Sequence, residues 1–410
     1  MIEKIKNIKN IKIDKYFGRR LLALCIIALL IIIVYSSIFK SNKISNEFTV
    51  LYNNEKLNLK DRVIVYDNDI VYFSKEDVRN IWDSTIFYNE TEKELITTYN
   101  KHIALLKVGQ NNMLVNDANI EIKSSILEID NKIYLPINEL LMIYDIELNV
   151  SKENNKIIID SFTETKIEAK VSNNCKVKTK TSLFSKSIEK LKKDDIIYIL
   201  EDIGKYKKVK TQNGNIGYIK AKKVYDEKNL RDKWQEEKLD LNILEEYSNI
   251  TGEYEPLVEE TKNNGKLNSV FPEILLLEEG GKVINKGSGN AEALKNYTNW
   301  ANENNISVIP VLKSNTAISK DLLTYEQRNK VINELYDVVV KNQVKGINID
   351  FETINDVNSF YRFIIEITPK FKESGLKVCV TLNKNINRDK IENIVDYIIE
   401  EKKWSQKKQK

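Results

Sequence analysis

Short apolar runs alternate with a helical pattern in the C-terminal part of the chain, and this alternation constrains the fold more than any other sequence feature. Between two of the runs, Val331, Leu335 and Val338 recur at the spacing of one helix face. Strands separated by helices of this length are typical of βαβ units, so the sequence predicts a parallel sheet. The runs are Glu273–Leu277, Ile306–Leu312, Val344–Glu352 and Leu376–Leu382.

The third run carries polar side chains at every second position. Asn348, Asp350 and Glu352 share one face of the predicted strand, and the apolar residues between them share the other. Two neighbouring carboxylates beside an amide suit acid–base chemistry, since one can keep a proton while the other stays ionised. If the sheet closes into a barrel, these acids lie at its catalytic end. A half-buried strand with an acidic solvent face is the alternative interpretation.

The segment Gly346–Glu352 resembles the fourth-strand signature of glycoside hydrolase family 18, and is most similar to the branch of spore-cortex and cell-wall glucosaminidases. The family pattern is D-G-x-D-x-D-x-E. Here Lys345 stands at the first acidic position and Asn348 at the second, whereas Asp350 and Glu352 match. The resemblance covers about residues 240–399 and implies an α/β fold, a (β/α)8 TIM-type barrel, which we assign to residues 240–410.

The resemblance also implies a role for each polar residue of the motif. Glu352 would protonate the leaving glycosidic oxygen, and Asp350 would orient the substrate's 2-acetamido group for attack on the anomeric carbon. Asn348 would hydrogen-bond Asp350 and hold its rotamer, or would only satisfy polar neighbours inside the barrel. The implied reaction is hydrolysis of β-1,4 bonds at N-acetylglucosamine in peptidoglycan or a chitin-like glycan.

The end of the sequence departs from the family pattern. After Ile394–Ile399, the predicted sixth strand, the family has Met-x-Tyr-Asp, whereas this chain continues as a lysine-rich segment to Lys410. We therefore expect a C-terminally truncated barrel, and whether it is an active enzyme stays open. The alternative function is a non-catalytic cell-wall-binding protein with an inactive barrel. A sporulation-envelope scaffold that acts through protein contacts is a third class.

Composition argues against several other chemistries. The chain has one histidine, His102, and three cysteines that lie far apart in the sequence, so no cluster has zinc-site spacing and a Ser-His-Asp triad would depend on His102. No phosphate-binding loop or dinucleotide fingerprint occurs. The formal net charge of +4 gives no reason to expect nucleic acid as a partner. We predict no cofactor and no metal.

The N-terminus contains a nearly unbroken apolar run at residues 21–39, a length that suits a transmembrane helix. Basic residues outnumber acidic ones in the preceding tail, residues 1–20, so the positive-inside rule predicts that the tail is cytoplasmic. A cleaved signal peptide is the alternative. The predicted location is that of a single-pass cell membrane protein whose C-terminal domains are extracytoplasmic.

Two smaller domains are predicted before the barrel. Residues 60–160, with Ile133–Leu140, resemble the α+β stalk domain named after the N-terminal region of copper amine oxidases; a single histidine cannot build a copper site, so a spacer role is expected. Residues 166–226, with turn glycines near Gly214–Ile219, resemble a small all-β bacterial SH3-like barrel, either peptidoglycan-binding or purely structural. The charged segment Asp226–Asp240 is predicted to be a helical linker.

Overall fold

The computed structural model describes residues 48–66, 69–182, 184–234, 243–247, 269–285, 293–314 and 322–400. All of them lie within one compact unit, Phe48–Lys410. The described secondary structure is mostly β, with four α-helices.

The first region, residues 48–161, consists of three sheets and one short helix. The helix α1 (Lys75–Ile81) begins at Ser74, whose hydroxyl accepts a hydrogen bond from the backbone N–H of Asp77. The strands are β1 (Thr49–Tyr52), β2 (Glu55–Lys56), β3 (Ile64–Val65), β4 (Val71–Ser74), β5 (Phe87–Asn89), β6 (Glu94–Tyr99), β7 (His102–Lys107), β8 (Asn112–Val115), β9 (Ala118–Glu121), β10 (Leu127–Ile129), β11 (Lys132–Pro136), β12 (Ile146–Ser151) and β13 (Lys156–Ser161). They form three sheets, with the orders β12-β13-β1-β2, β10-β11-β4-β3 and β5-β6-β7-β8-β9.

The second region is one sheet of order β16-β15-β19-β18-β17-β14-β20, in which every pairing is antiparallel. Its small core contains Val171, Val177, Ile197 and Val209. The strands are β14 (Lys166–Val171), β15 (Cys175–Lys178), β16 (Ser187–Leu191), β17 (Ile196–Ile203), β18 (Tyr206–Thr211), β19 (Ile216–Lys220) and β20 (Val224–Arg231). The SH3-like assignment stays a prediction.

Strand β20 occupies the first part of the segment that the sequence predicts to be a helical linker, so the prediction is wrong there. Residues 226–231 of the segment predicted as a helix lie in β20, which pairs with β14 as far as Arg231, opposite Lys166. Residues 235–240 of the predicted linker lie outside the described residues. The guanidinium of Arg231 donates a hydrogen bond of 2.9 Å to Glu147. Backbone pairing with a distant strand satisfies those N–H and C=O groups of the segment that face β14, and such tertiary pairing outweighs local helix propensity.

The third region contains the predicted parallel sheet. Its order is β21-β22-β25-β26-β27-β28, and neighbouring strands in this order are parallel. The elements are β21 (Ile243–Tyr247), β22 (Ser269–Glu278), β23 (Lys282–Asn285), α2 (Ala293–Glu303), β24 (Ser307–Val308), β25 (Val311–Ser314), α3 (Tyr325–Lys341), β26 (Gly346–Asp350), α4 (Val357–Glu373), β27 (Lys377–Leu382) and β28 (Tyr397–Glu400). These strands do not by themselves establish a closed barrel, so the (β/α)8 barrel stays a prediction.

The helices cover one face of this parallel sheet. Helix α3 begins with a capping box between Thr324 and Gln327, and α4 begins at Asp356, whose carboxylate accepts two backbone N–H groups. The main core joins the apolar faces of both helices to Ile347, Ile349 and Phe351, the apolar side chains of the motif. The predicted alternation is therefore present, and it leaves the polar side chains on the opposite face.

Gly346 permits the close approach of β26 to β27. A Cβ at this position would clash with the backbone of Lys377, the residue paired with it. Only glycine fits without movement of one strand. The glycine of the motif therefore sets the spacing between the two strands that carry the polar residues described below.

No helix in the described part of the chain is long and apolar enough to cross a membrane. The two longest described helices, α3 and α4, have 17 residues each and carry charged side chains, whereas a span needs about 20 mainly apolar residues. This finding contradicts the predicted single-pass membrane location. The apolar run on which that prediction rested, residues 21–39, lies outside the described residues, as does the basic tail.

Candidate active site

The candidate site lies at the C-terminal end of β26, on the sheet face opposite the one that the described helices cover. Strand β25 flanks β26 on one side, with Lys313 opposite Asp350, and β27 flanks it on the other, with Cys379 opposite Asn348. Paired residues of neighbouring strands share a face, so the register alone brings these side chains together. In open α/β sheets and barrels alike, this end of the strands is where ligands bind.

Asp350 forms a short ion pair with Lys313. The Nζ atom of Lys313 donates a hydrogen bond of 2.6 Å to Oδ2 of Asp350. The side chains are 14% and 16% exposed, respectively, so water screens the pair little. A charge-assisted hydrogen bond of this kind is stronger than a neutral one and favours the ionised carboxylate.

Glu352 follows just beyond the end of the strand and is much more accessible. Its side chain is 78% exposed, and Oε1 lies 4.0 Å from Nζ of Lys313. The same lysine therefore lies within ion-pair distance of both carboxylates. The backbone between the two acids is held by Asn383, whose Nδ2 donates a hydrogen bond of 2.6 Å to the carbonyl of Phe351.

Asn348 is fully buried and is paired with a hydroxyl on the next strand. Its Nδ2 donates a hydrogen bond of 3.0 Å to Oγ1 of Thr381. A buried amide needs such a partner, since an unsatisfied polar group would destabilise the fold. This contact agrees with the alternative that Asn348 satisfies a polar neighbour inside the fold. That Asn348 holds the rotamer of Asp350 stays a prediction.

An apolar cluster lies on the same sheet face as these polar groups. Phe271, Ile309, Val311, Cys379 and Ile399 pack together there. Burial raises the pKa of the Cys379 thiol above its usual range, so the thiol stays protonated at neutral pH and is a poor nucleophile. Ionisable chemistry at this site therefore falls to the carboxylates and the lysine.

The sequence pattern predicts the three motif residues but not three of their neighbours, namely Lys313, Thr381 and Asn383. Each comes from a different run or loop and reaches the motif only through strand register. Because every second residue of a strand shares a face, Lys313 and Thr381 could have been found by aligning the predicted parallel strands. Asn383 lies in a loop, and no local signal marks it. Within the described residues, no group of three or more His, Cys, Asp or Glu side chains could hold a metal ion.

One family model matches the N-terminal part of the chain. Residues 51–184 match the family model of the copper amine oxidase N-terminal domain. This match agrees with the resemblance predicted for residues 60–160. It covers well under half of the chain and does not assign the whole chain to that family. No curated protein sequence matches the chain.

Among solved structures, similarity is found to chitinases and to a spore cortex-lytic enzyme. A chitinase from Chromobacterium violaceum has 17% identity and a TM-score of 0.34, with 39% of this chain and 55% of that chain covered. The Bacillus cereus spore cortex-lytic enzyme SleL has 17% identity and a TM-score of 0.31, with coverage of 46% and 43%. The Ostrinia furnacalis Group IV chitinase has 17% identity and a TM-score of 0.30, with coverage of 32% and 41%.

The matched part of this chain thus spans about half the length of those structures. At this identity and TM-score, the similarity assigns no activity to the chain. The resemblance of residues 240–399 to family 18 glycosidases stays a prediction.

Proposed function

We propose that the C-terminal region is a glycoside hydrolase that cleaves β-1,4 bonds at N-acetylglucosamine in peptidoglycan or a chitin-like glycan. The observation that carries the proposal is the pair of acids at the end of β26. Asp350 is mostly buried and bound to Lys313 at 2.6 Å, while Glu352 is 78% exposed and lies 4.0 Å from the same lysine. Two carboxylates in such different surroundings are suited to different roles.

In the proposed mechanism, Glu352 is the general acid. It gives its proton to the leaving glycosidic oxygen as the bond from that oxygen to the anomeric carbon breaks. Asp350, as a carboxylate, accepts a hydrogen bond from the N–H of the substrate's 2-acetamido group. The acetamido carbonyl oxygen then forms a bond to the anomeric carbon, which gives a cyclic oxazolinium ion. Water then attacks that carbon, the bond from the carbon to the acetamido oxygen breaks, and Glu352 takes up the proton that the water releases.

Substrate assistance explains why one exposed acid is enough. The usual retaining mechanism needs a second carboxylate as the nucleophile, about 5 Å from the acid. Here the second carboxylate, Asp350, is engaged by Lys313. An ionised carboxylate accepts hydrogen bonds, so Asp350, fixed by Lys313, can orient the N–H of the acetamido group.

Replacement of the general acid tests this proposal. We expect the full chain to release reducing ends from peptidoglycan or N-acetylglucosamine oligomers, and Glu352→Gln to lower kcat by roughly 10²–10⁴-fold. Glu303→Gln is the matched control, because Glu303 is an exposed residue at the end of α2. Equal rates for Glu352→Gln and the control would contradict the proposal. Glycan binding without any release by the unmodified chain would instead support a non-catalytic wall-binding protein.

A further inference from the structure

We infer that Lys313 is a positioning residue of the proposed hydrolase, where it keeps Asp350 ionised and balances the charge of Glu352. The catalytic part of this role rests on the proposed function. The ion pair between Lys313 and Asp350 is a feature of the structure and does not depend on that function. Neither the motif nor the sequence pattern pointed to Lys313, because it stands on a different strand, 37 positions before Asp350.

The register of β25 against β26 brings Lys313 and Asp350 together. Lys313 lies directly opposite Asp350 in the pairing of β25 with β26, so both side chains leave the sheet on the same face. Its ammonium is 2.6 Å from Oδ2 of Asp350 and 4.0 Å from Oε1 of Glu352. An ammonium carries three donors on a compact charge, so one lysine can serve two carboxylates at once.

The positive charge of Lys313 stabilises the ionised form of the mostly buried Asp350. An ionised carboxylate that is mostly buried is unfavourable without a partner, and a nearby cation offsets that cost. The acidic groups that share this sheet face with Lys313, by register and packing, are Glu273 and Glu278 on β22, Asp350 and Glu352 at β26, Cys379 on β27 and Tyr397 on β28. Two other lysines share the face by register, Lys282 opposite Glu278 and Lys377 opposite Gly346. The ammonium of Lys313 lies within 4.0 Å of both Asp350 and Glu352, so Lys313 supplies positive charge directly to the two acids.

Lys313 also acts on the charge that develops on Glu352 in the proposed reaction. As Glu352 transfers its proton, it turns from a neutral acid into a carboxylate, and it then lies close to the ionised Asp350. Lys313 stabilises this developing charge more than it stabilises the starting state. An interaction that is stronger in the transition state than in the ground state raises kcat rather than affinity.

The experiment compares Lys313→Met, which removes the charge but keeps much of the length, with Lys313→Arg, which keeps the charge. Lys384→Met is the matched control, because Lys384 is an exposed lysine in the loop after β27. The protonation of Asp350 is followed by ¹³C NMR of the full chain with labelled aspartate carboxyls, assigned by Asp350→Asn. We expect Asp350 to take up its proton at higher pH in Lys313→Met and at an unchanged pH in Lys384→Met, with Lys313→Arg close to the unmodified chain.

The same variants are assayed for glycan cleavage across pH. We expect Lys313→Met to lower kcat by about 10²-fold, with a smaller effect on KM, and to shift the acid limb of the pH profile to higher pH. An unmoved Asp350 titration in Lys313→Met overturns the inference, whatever the activity. A shifted titration in a chain that cleaves no glycan upholds the charge role and overturns the proposed hydrolysis instead. If Lys313→Met does not fold, Lys313→Gln gives the same comparison.

Discussion

At the scale of single residues, the chemistry of the site depends on how Asp350 and Glu352 differ in exposure and partner. The alternation that separates polar from apolar side chains in the motif follows from the two-residue period of a strand, and so the sequence alone predicts it. Lys313, which lies within ion-pair distance of both acids, cannot be predicted from the motif, because its position depends on the register of β25 against β26. A shift of one residue in that register would turn Lys313 to the other face.

Asp350→Asn tests the second carboxylate. The amide has nearly the same shape, but it lacks the charge that would orient the acetamido group, and it no longer pairs with Lys313. We expect kcat for N-acetylglucosamine oligomers to fall by about 10²-fold or more, with an unchanged far-UV circular dichroism spectrum. An unchanged kcat would show that Asp350 has no part in the reaction.

At the scale of elements, the hydrogen bond between Asn348 and Thr381 links β26 to β27 inside the sheet face. Asn348 is 0% exposed and Thr381 is 3% exposed. Thr381→Val keeps the shape of the side chain but leaves the buried amide without its partner. We expect a loss of about 1–3 kcal/mol in the free energy of unfolding, measured with urea.

Thr381→Ser is the matched control, since it retains the hydroxyl and removes only a methyl group. Its loss of stability should be clearly smaller than that of Thr381→Val. If the two variants are equally stable, the hydrogen bond contributes nothing measurable, and Asn348 must be satisfied in another way.

The elements also show where sequence patterns fail. The parallel strands and the helix α3 were predictable, because apolar periodicity and capping residues are local features. Residues 226–231 of the charged segment were predicted as part of a helix but belong to β20. Its structure depends on the free edge of β14, about 60 positions earlier, and no local pattern reports such a partner.

At the scale of the whole molecule, an ionic network joins the helices of the third region to the first region. Glu366 is buried and accepts hydrogen bonds from Arg328 at 2.7 Å and from Arg362 at 3.0 Å. Arg362 also donates a hydrogen bond of 2.7 Å to the carbonyl of Thr85. Charge patterning predicts neither the pairing nor this contact, because the residues come from α3, α4 and a distant loop.

Removal of the shared carboxylate charge should destabilise this network. Glu366→Gln leaves two buried guanidinium groups without an anion, so we expect a loss of about 3–5 kcal/mol in the free energy of unfolding. Glu373→Gln is the control, because Glu373 lies at the exposed end of the same helix and contacts Asn116 of the first region. Similar urea midpoints for the two variants would contradict a structural role for the network.

In the proposed reaction, the C-terminal region hydrolyses N-acetylglucosamine glycans with Glu352 as acid and the substrate's own acetamido group as nucleophile. Two successive displacements at one carbon restore its configuration, so the first product should be the β-anomer. Proton NMR of an N-acetylglucosamine oligomer in the first minutes of reaction measures this directly. We expect β-anomeric reducing ends with the unmodified chain and almost none with Glu352→Gln. An α-anomer as first product, or equal release by Glu352→Gln, would contradict it.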